Sequence, residues 1–440
     1  MAENEKNIME NEESVSHSVS HHSHSHSHSS HHKHHTANNH KKNKFQKFLK
    51  KNKKKLLMIF AIVCAVGILV ALGLLVDINN RFDKSDSDKN VTNATSRTIQ
   101  LEIPYFTDEV CLVSPAVETF ASPNNVYSGK QIYDKMIGNS ERLDVGLPVN
   151  LSFRVNGMPS GCVVAASVIE ISETKDFNSP LVIELGEGET SAEIYFLKTG
   201  VKYNYRIRIT VSDGQEISAQ GSFITANTPR ILSIDGIVNV RDIGGWETEN
   251  GKKIRQGLLI RGSELDAAVE NKYSITPKGL DDMLNVLKIK SDFDLRAVTD
   301  NKTGTDALGA NVEHIYFSVP MYSQIFAPEA KENVRRLFSE LADESNYPVY
   351  LHCTYGADRT GTVCYLLEAV LGMSEKNLLR EYELTAMHHG SINSQEMDRF
   401  IESLKKLEGE TMQAKAEGFL LNSGVTAEEI DNIRRIFLED

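Results

Sequence analysis

PVYLHCTYGADRTGTVCYLLEAV, residues 348–370, joins an apolar strand to a helix through a short polar loop. PVYLHC (348–353) is uncharged, as a strand buried on both faces would be. A helix is predicted to begin over 360–372. In the loop between them five residues separate Cys353 from Arg359, and Thr360 follows directly. A loop of this kind, entering a helix N-terminus, gathers backbone N–H groups in front of the helix dipole. Thr354, Tyr355, Gly356 and Ala357 would supply that cradle, with Gly356 allowing the tight turn. The Arg359 guanidinium is a planar fork that bonds two oxygens of a tetrahedral oxyanion at once. The same positive field favours the thiolate of Cys353, which makes it a competent nucleophile. Thr360 is placed to donate its hydroxyl to the sulfur.

Around this loop, strands alternate with amphipathic helices from about residue 229 onward. IKSDFDLR (289–296) and VEHIYFSV (312–319) read as strands, and 329–343 as a helix. The alternation predicts an α/β domain, a parallel sheet flanked by helices, over 229–440. The loop then lies at the carboxyl end of a sheet strand, where such folds place their sites. Cys364, among Val363, Tyr365 and Leu366, reads as a core thiol.

HCTYGADRTG (352–361) resembles the active-site loop of the cysteine-dependent phosphatases, and most closely the bacterial tyrosine/dual-specificity group whose loop reads HCxxGKDRTG. GIVNVRDIGGWETENGKKIRQGLLIRGSEL (236–265) is similar to that family's opening segment, with Arg261-Gly262-Ser263 where the family has an arginine–serine pair. Asp294-Leu295-Arg296 matches its aspartate–leucine–arginine strand end. The resemblance, which covers roughly 230–440, implies in-line attack by Cys353 and a phosphocysteine intermediate. Arg359 and the loop amides would stabilise the equatorial oxygens, so no metal or other cofactor is called for. It gives His352, Asp294, Arg296, Arg241 and Asp242 supporting roles, with His352 bonded to loop backbone.

Two departures bear on chemistry. Many relatives carry an aspartate on a loop after the strand matching 312–319, but here that stretch reads VPMYSQIF (319–326), with no acid before Glu329. Asp358 is the expected substitute general acid and Asp294 the second candidate, unless Asp294 holds Arg296 or Arg241. Ala357 stands where the family has Lys, which makes the rim less basic and favours phosphotyrosine over polyphosphorylated inositols. Tyr355 is then available to line the entrance for an aromatic substrate. His388 and His389 read as surface residues.

Upstream, TIQLEIPYF (98–106), PVNLSFRV (148–155), CVVAASVIEIS (162–172), AEIYFL (192–197), YNYRIRITVSD (203–213) and AQGSFITA (219–226) have strand composition and are separated by turn signals. They predict an all-β sandwich over 98–228. Its second half resembles a fibronectin type III domain. Cys111 and Cys162 are read either as a disulfide or as two separate thiols.

Residues 56–76, LLMIFAIVCAVGILVALGLLV, are 21 uncharged residues. At about 1.5 Å per residue they span roughly 30 Å, the hydrocarbon thickness of a bilayer. Nine lysines between Lys41 and Lys55 precede them, so a signal anchor with a cytoplasmic N-terminus and exported body is predicted, with 77–97 as linker. The tail, 1–55, is expected to be disordered, and between His17 and His40 it holds 11 of the chain's 15 His. That run reads as a biased polar tail, with weak metal binding the alternative. The body, 77–440, carries 37 basic and 55 acidic side chains, a charge that repels nucleic acid.

These readings lead to a membrane-anchored, extracytoplasmic phosphatase of phosphotyrosine proteins, dual specificity included. The alternatives are an inositol-phosphate or phosphoinositide phosphatase and a non-catalytic phosphate-binding surface protein.

Overall fold

The computed structural model describes residues 98–267, 272–297 and 307–439. The histidine-rich tail, the apolar run 56–76 and the linker lie outside the described residues. Among those described, no helix is long and apolar enough to cross a membrane. Thr95–Asp440 form one compact unit.

The unit opens with β1 (Gln100–Glu102), then α1 (Pro115–Ala121) and α2 (Gly129–Met136). Next come β2 (Val149–Ser152), β3 (Arg154–Asn156), β4 (Val164–Ser172), β5 (Leu181–Leu185), β6 (Ser191–Ile194), β7 (Lys202–Val211) and β8 (Glu216–Ile224). β5-β4-β7-β8 make a four-stranded antiparallel sheet, while β1-β3 and β2-β6 are two-stranded. Alternation places Tyr203, Tyr205, Ile207 and Ile209 of β7 on one face, where they share a core with Val149 and Leu151 of β2 and Ile194 of β6.

The expected all-β reading of this stretch is corrected by α1 and α2. At 7 and 8 residues they are too short to be stable alone, and their packing explains them. Ser114 caps α1, with Pro115 at its first turn, and Ser128 with Gln131 forms a capping box on α2. Val117, Phe120 and Ile132 then bury against Leu384 and Met387, far along the chain.

The second half contributes β9 (Arg241–Asp242), β10 (Leu259–Gly262), α3 (Pro277–Asp281), β11 (Ser291–Asp294), β12 (Glu313–Tyr316), α4 (Lys331–Leu341), β13 (Val349–His352), α5 (Asp358–Val370), α6 (Glu375–Glu383), α7 (Ala386–His389), α8 (Ser394–Lys405), α9 (Met412–Asn422) and α10 (Ala427–Phe437). The sheet order is β12-β11-β13-β10-β9. Its pairings are parallel except β9 with β10, which is antiparallel. The wholly parallel sheet of the sequence reading is thus corrected to a mixed one. No helix crosses over between β9 and β10, and without a crossover neighbouring strands pair antiparallel.

Along β13, Val349 and Leu351 join the core under α4, α5 and α8–α10, while Tyr350 joins the core on the other face with Ile260 and Met283. Both faces are covered, which accounts for the uncharged run at 348–351. Every residue of α5 from Thr360 to Val370 is buried. The loop between β13 and α5 is therefore clamped at both ends by core.

Phe120, 1% exposed, is the largest side chain α1 contributes to the contact with α7. Phe120→Ala should cost roughly 3 kcal/mol of unfolding free energy, the usual scale for emptying a buried aromatic site. Urea unfolding of the full chain measures it, and a cost under about 1 kcal/mol would mean the two helices are not integral.

Candidate active site

β13 ends at His352, and the chain passes through Cys353, Thr354, Tyr355, Gly356 and Ala357 into α5 at Asp358. Cys353 is 3% exposed. Among the described residues, the backbone N–H groups of Thr354 to Asp358 donate to no internal acceptor. No side chain caps the start of α5. A row of unpaired donors at the head of a 13-residue helix is what an oxyanion completes.

The loop's carbonyls, by contrast, are tied down from outside. Thr354 O accepts from the Glu264 amide at 3.1 Å, Tyr355 O from Asn239 Nδ2 at 3.1 Å and Gly356 O from an Arg261 terminal nitrogen at 2.7 Å. Gly356 has φ +64°, and a Cβ there would meet Gly262 O at 2.3 Å, so only glycine fits. Gly262 itself lies against the Tyr350 hydroxyl, where a Cβ would come within 2.3 Å. The glycine inserted between Arg261 and Ser263 thus permits β10 to approach the loop.

Arg261 is fully buried and pairs with Glu381 Oε2 at 2.7 Å. Arg241 reaches the other oxygen of Glu381 at 2.6 Å and Asn239 Oδ1 at 2.6 Å. Burial alone would raise Glu381, but the two guanidiniums outweigh it and hold the carboxyl below its ordinary range. Neighbouring Glu368 is pushed well above the carboxylate range, by burial first and then by Glu381. Arg241 therefore braces the loop through Glu381 and Asn239. Asp294 is not its partner.

Asp294 instead grips Arg296 at 2.8 Å, and Asp266 and Glu264 fill the rest of that guanidinium at 2.6 and 3.2 Å. Asp294 is wholly buried, which would raise it, yet His352, His314 and Arg296 together hold it far below the ordinary range. It cannot hold a proton for a leaving group, so the second general-acid candidate falls away. Asp242 pairs with Arg230 at 2.7 Å and accepts from the Gly244 and Gly257 amides, with no contact to the loop.

His352 Nδ1 lies 3.3 Å from Cys353 O, the predicted backbone contact, and Nε2 lies 3.1 Å from Asp292. Burial disfavours its charged form, but Asp292 and then Asp294 push it up to about 9, so it is an imidazolium at neutral pH. Thr360 Oγ1 is buried without a hydrogen-bond partner, so the expected hydroxyl–sulfur bond is not made here. Cys364 packs in the core, its thiol pushed up by burial. Cys111 and Cys162 are both free thiols, and Cys111 Sγ bonds Val113 O at 3.6 Å.

Asp358 is half-buried, and its Oδ1 accepts from the Tyr322 hydroxyl, which lies 2.8 Å from that of Tyr382. Tyr322 has φ +52°, rare for a bulky side chain, and its amide donates to Thr362 Oγ1 at 2.8 Å. The stretch that lacks an acid thus sends a phenol to the acid on α5. Nothing in the spacing of VPMYSQIF announces this contact.

Two grooves open beside the loop. One, about 580 Å³, is lined by Lys272, Tyr355, Ala357, Asp358 and Asn393. The other, about 340 Å³, includes Arg359, Met321 and Glu329. Lys272 lies 5.1 Å from the Tyr355 ring centroid, so the groove beside Ala357 has a cation after all, from a segment 85 residues earlier. His388, read as a surface residue, sits instead against Tyr273 and Asp144. Among the described residues no cluster of His, Cys, Asp and Glu is arranged to hold a metal.

Residues 232–439 match the tyrosine phosphatase family. A Cupriavidus necator protein whose name assigns it to the tyrosine-protein phosphatases is 24% identical over 184 residues, 38% of this chain and 67% of its own length. Among solved structures, the core catalytic domain of the PP-IP phosphatase SIW14 from S. cerevisiae, crystallised with citrate, is 16% identical at a TM-score of 0.26, covering 36% of this chain and 86% of that one. Tk-PTP in its active form is 16% identical at a TM-score of 0.24, covering 34% and 92%. The C-terminal segment is of the phosphatase superfamily, and the chain is a phosphatase that hydrolyses phosphorylated substrates. None of these matches reports on the fibronectin type III resemblance.

Two outcomes follow from the buried charges. Glu381→Gln leaves two buried guanidiniums without their counter-ion and should destabilise by about 3 kcal/mol or more in chemical unfolding. His352, raised from 6.5 to about 9 by its partners, adds stability that is complete below pH 6.5 and lost as pH rises through 9. The thermal midpoint should therefore fall across that window, and His352→Gln should flatten the fall. An unchanged slope in the variant would show that His352 is not the titrating group.

Proposed function

We propose that this chain is a protein tyrosine phosphatase, with dual specificity included, anchored in a membrane by residues 56–76 and acting on its outer side. The observation that carries the catalytic part is the run of unpartnered amides from Thr354 to Asp358 around a buried Cys353, with Arg359 at its end. The anchor and its direction rest on the 21 uncharged residues and the lysines before them. A β-rich segment between anchor and catalytic segment, similar in pattern to a fibronectin type III domain, serves as spacer.

The Cys353 thiolate attacks phosphorus in line as the bond to the leaving oxygen breaks. Loop amides and Arg359 hold the three equatorial oxygens, where charge is spread in the transition state. Asp358 gives its proton to the leaving oxygen. Its carboxylate, oriented by Tyr322, then takes a proton from the water that hydrolyses the phosphocysteine. Tyr355, with Lys272 over its ring, offers an aromatic wall and a positive charge to a phosphotyrosine flanked by acidic residues.

Lys272 also favours a second reading. A cation beside the cradle suits a substrate with a further phosphate, as in an inositol polyphosphate, despite the alanine at 357.

The test is hydrolysis by the full chain, with a phosphotyrosine peptide, an alkyl phosphate, an aryl phosphate and an inositol polyphosphate as substrates. Cys353→Ser should abolish all turnover. Asp358→Asn should lower kcat by about a hundredfold for the alkyl ester and less for the aryl ester, whose leaving group needs the proton least. Glu329→Gln should change both by less than about twofold. Equal losses for both esters in the Asp358 variant would remove Asp358 as the acid. A preference for the inositol substrate that disappears in Lys272→Met would select the second reading.

A further inference from the structure

The matched phosphatase segment begins at residue 232, yet a carboxylate upstream of it is linked to the active-site loop through Asn239. Asp144 follows α2 in a stretch pinned to the catalytic half by its backbone. The amides of Leu143 and Asp144 both donate to Met387 O, at 2.8 and 3.2 Å, and the Gly146 amide donates to Ser233 Oγ at 3.0 Å. A Cβ at Gly146 would meet Ile231 O at 2.4 Å, so the two segments are in backbone contact.

The Asp144 side chain is 3% exposed, and two routes run from it to Tyr355. On the first, Oδ2 accepts the Asn239 amide at 3.1 Å, and Asn239 Nδ2 donates to Tyr355 O at 3.1 Å. Asn239 has φ +57°, in the left-handed region that asparagine enters more readily than other bulky residues. Without Asp144 its buried amide would lose the acceptor that fixes it. On the second, Oδ1 lies 3.6 Å from His388 Nδ1, and His388 Nε2 is 3.3 Å from the Tyr273 hydroxyl. The Tyr273 ring stands edge-on to Tyr355, with centroids 6.0 Å apart. The first route is hydrogen-bonded throughout and holds the backbone of Tyr355. The second passes through a 3.6 Å contact beyond hydrogen-bond reach and an edge-on ring contact, and packs against the Tyr355 ring.

We propose that Asp144 is a positioning residue for the phosphatase site: through Asn239, and through His388 and Tyr273, it fixes Tyr355 as loop backbone and as groove wall. The segment upstream of the family match is then part of the catalytic unit. The proposal rests on phosphate binding by the Cys353 loop and is indifferent to which phosphomonoester is turned over.

The test uses the full chain, with steady-state kinetics on a phosphotyrosine peptide and an aryl phosphate, and vanadate affinity measured by calorimetry without turnover. Asp144→Ala should raise KM about thirtyfold and weaken vanadate binding in parallel, with kcat held within about threefold. Asp144→Asn keeps one of the two routes and should raise KM threefold to tenfold. Arg142→Ala removes the carboxylate's third partner, a bond to the Oδ1 that faces His388, but leaves Oδ2 on the Asn239 amide, and should raise KM by no more than about threefold. KM and vanadate affinity at wild-type values in both Asp144 variants would overturn the proposal. So would a loss confined to kcat that tracks the fraction of active sites titrated. Should the alanine form not fold, the asparagine variant decides by the same criterion. A wild type that binds vanadate yet hydrolyses neither ester would count against the phosphotyrosine reading, while the ordering of vanadate affinities would still decide the role of Asp144.

Discussion

One carboxylate beneath the active-site loop sets the terms for the rest. Glu381 takes a guanidinium on each oxygen, Arg241 at 2.6 Å and Arg261 at 2.7 Å, with all three groups nearly or fully buried. Charges this deep are tolerated only when paired and further hydrogen-bonded. The further bonds are what matter for function. Arg261 spends one on Gly356 O and Arg241 one on Asn239, which in turn holds Tyr355 O. The loop's carbonyls are thus drawn toward buried cations. Its amides, left without internal acceptors, are kept for an anion. A loop whose carbonyls are held from outside and whose amides have no internal acceptor is preorganised for oxyanion binding.

A second buried cluster serves the same end by restraint. Arg296, buried after β11, is surrounded by Asp294, Asp266 and Glu264, and its charge is neutralised there. His352 and Asp292 form a further buried pair at the end of β13. These pairs do not make the protein more stable than an apolar core would, since desolvation offsets most of their attraction. They specify where the strand ends and in which direction the loop leaves it.

How much of this was readable in the chain beforehand depended on sequence distance. Cys353, Gly356, Asp358, Arg359 and the strand before them are contiguous, and their chemistry follows from residue type and spacing. The strands at 291–294 and 349–352 lie within runs whose composition marks them, and 202–211 overlaps its run at 203–213. Contacts that close over long separations left no local signal. Lys272 beside Tyr355, Tyr322 on Asp358 and Asp144 on Asn239 become neighbours only in the folded chain. α1 and α2 escaped for a related reason: they are too short to carry a periodic pattern and are made stable by the surface they dock on. The antiparallel β9 is two residues long, beneath what alternation can register.

The placement of Asp358, the general acid we propose, shows how such long-range contacts would alter the chemistry. On a separate loop, an acid reaches the leaving group when that loop closes. On the first residue of α5, Asp358 is as rigid as the helix, and no closure is needed. Its orientation is fixed instead by Tyr322, whose amide and hydroxyl grip Thr362 and Asp358 one helical turn apart. The Tyr322 hydroxyl, as donor, orients the carboxylate for the proposed second half-reaction, where it takes a proton from water. In the first half-reaction Asp358 must hold a proton. The Tyr322–Tyr382 pair accommodates that state, because either hydroxyl can be the donor, so a protonated Asp358 can donate to Tyr322 while Tyr322 donates to Tyr382. Under that proposal, reversing the chain of hydroxyl protons lets one aspartate serve both steps without moving.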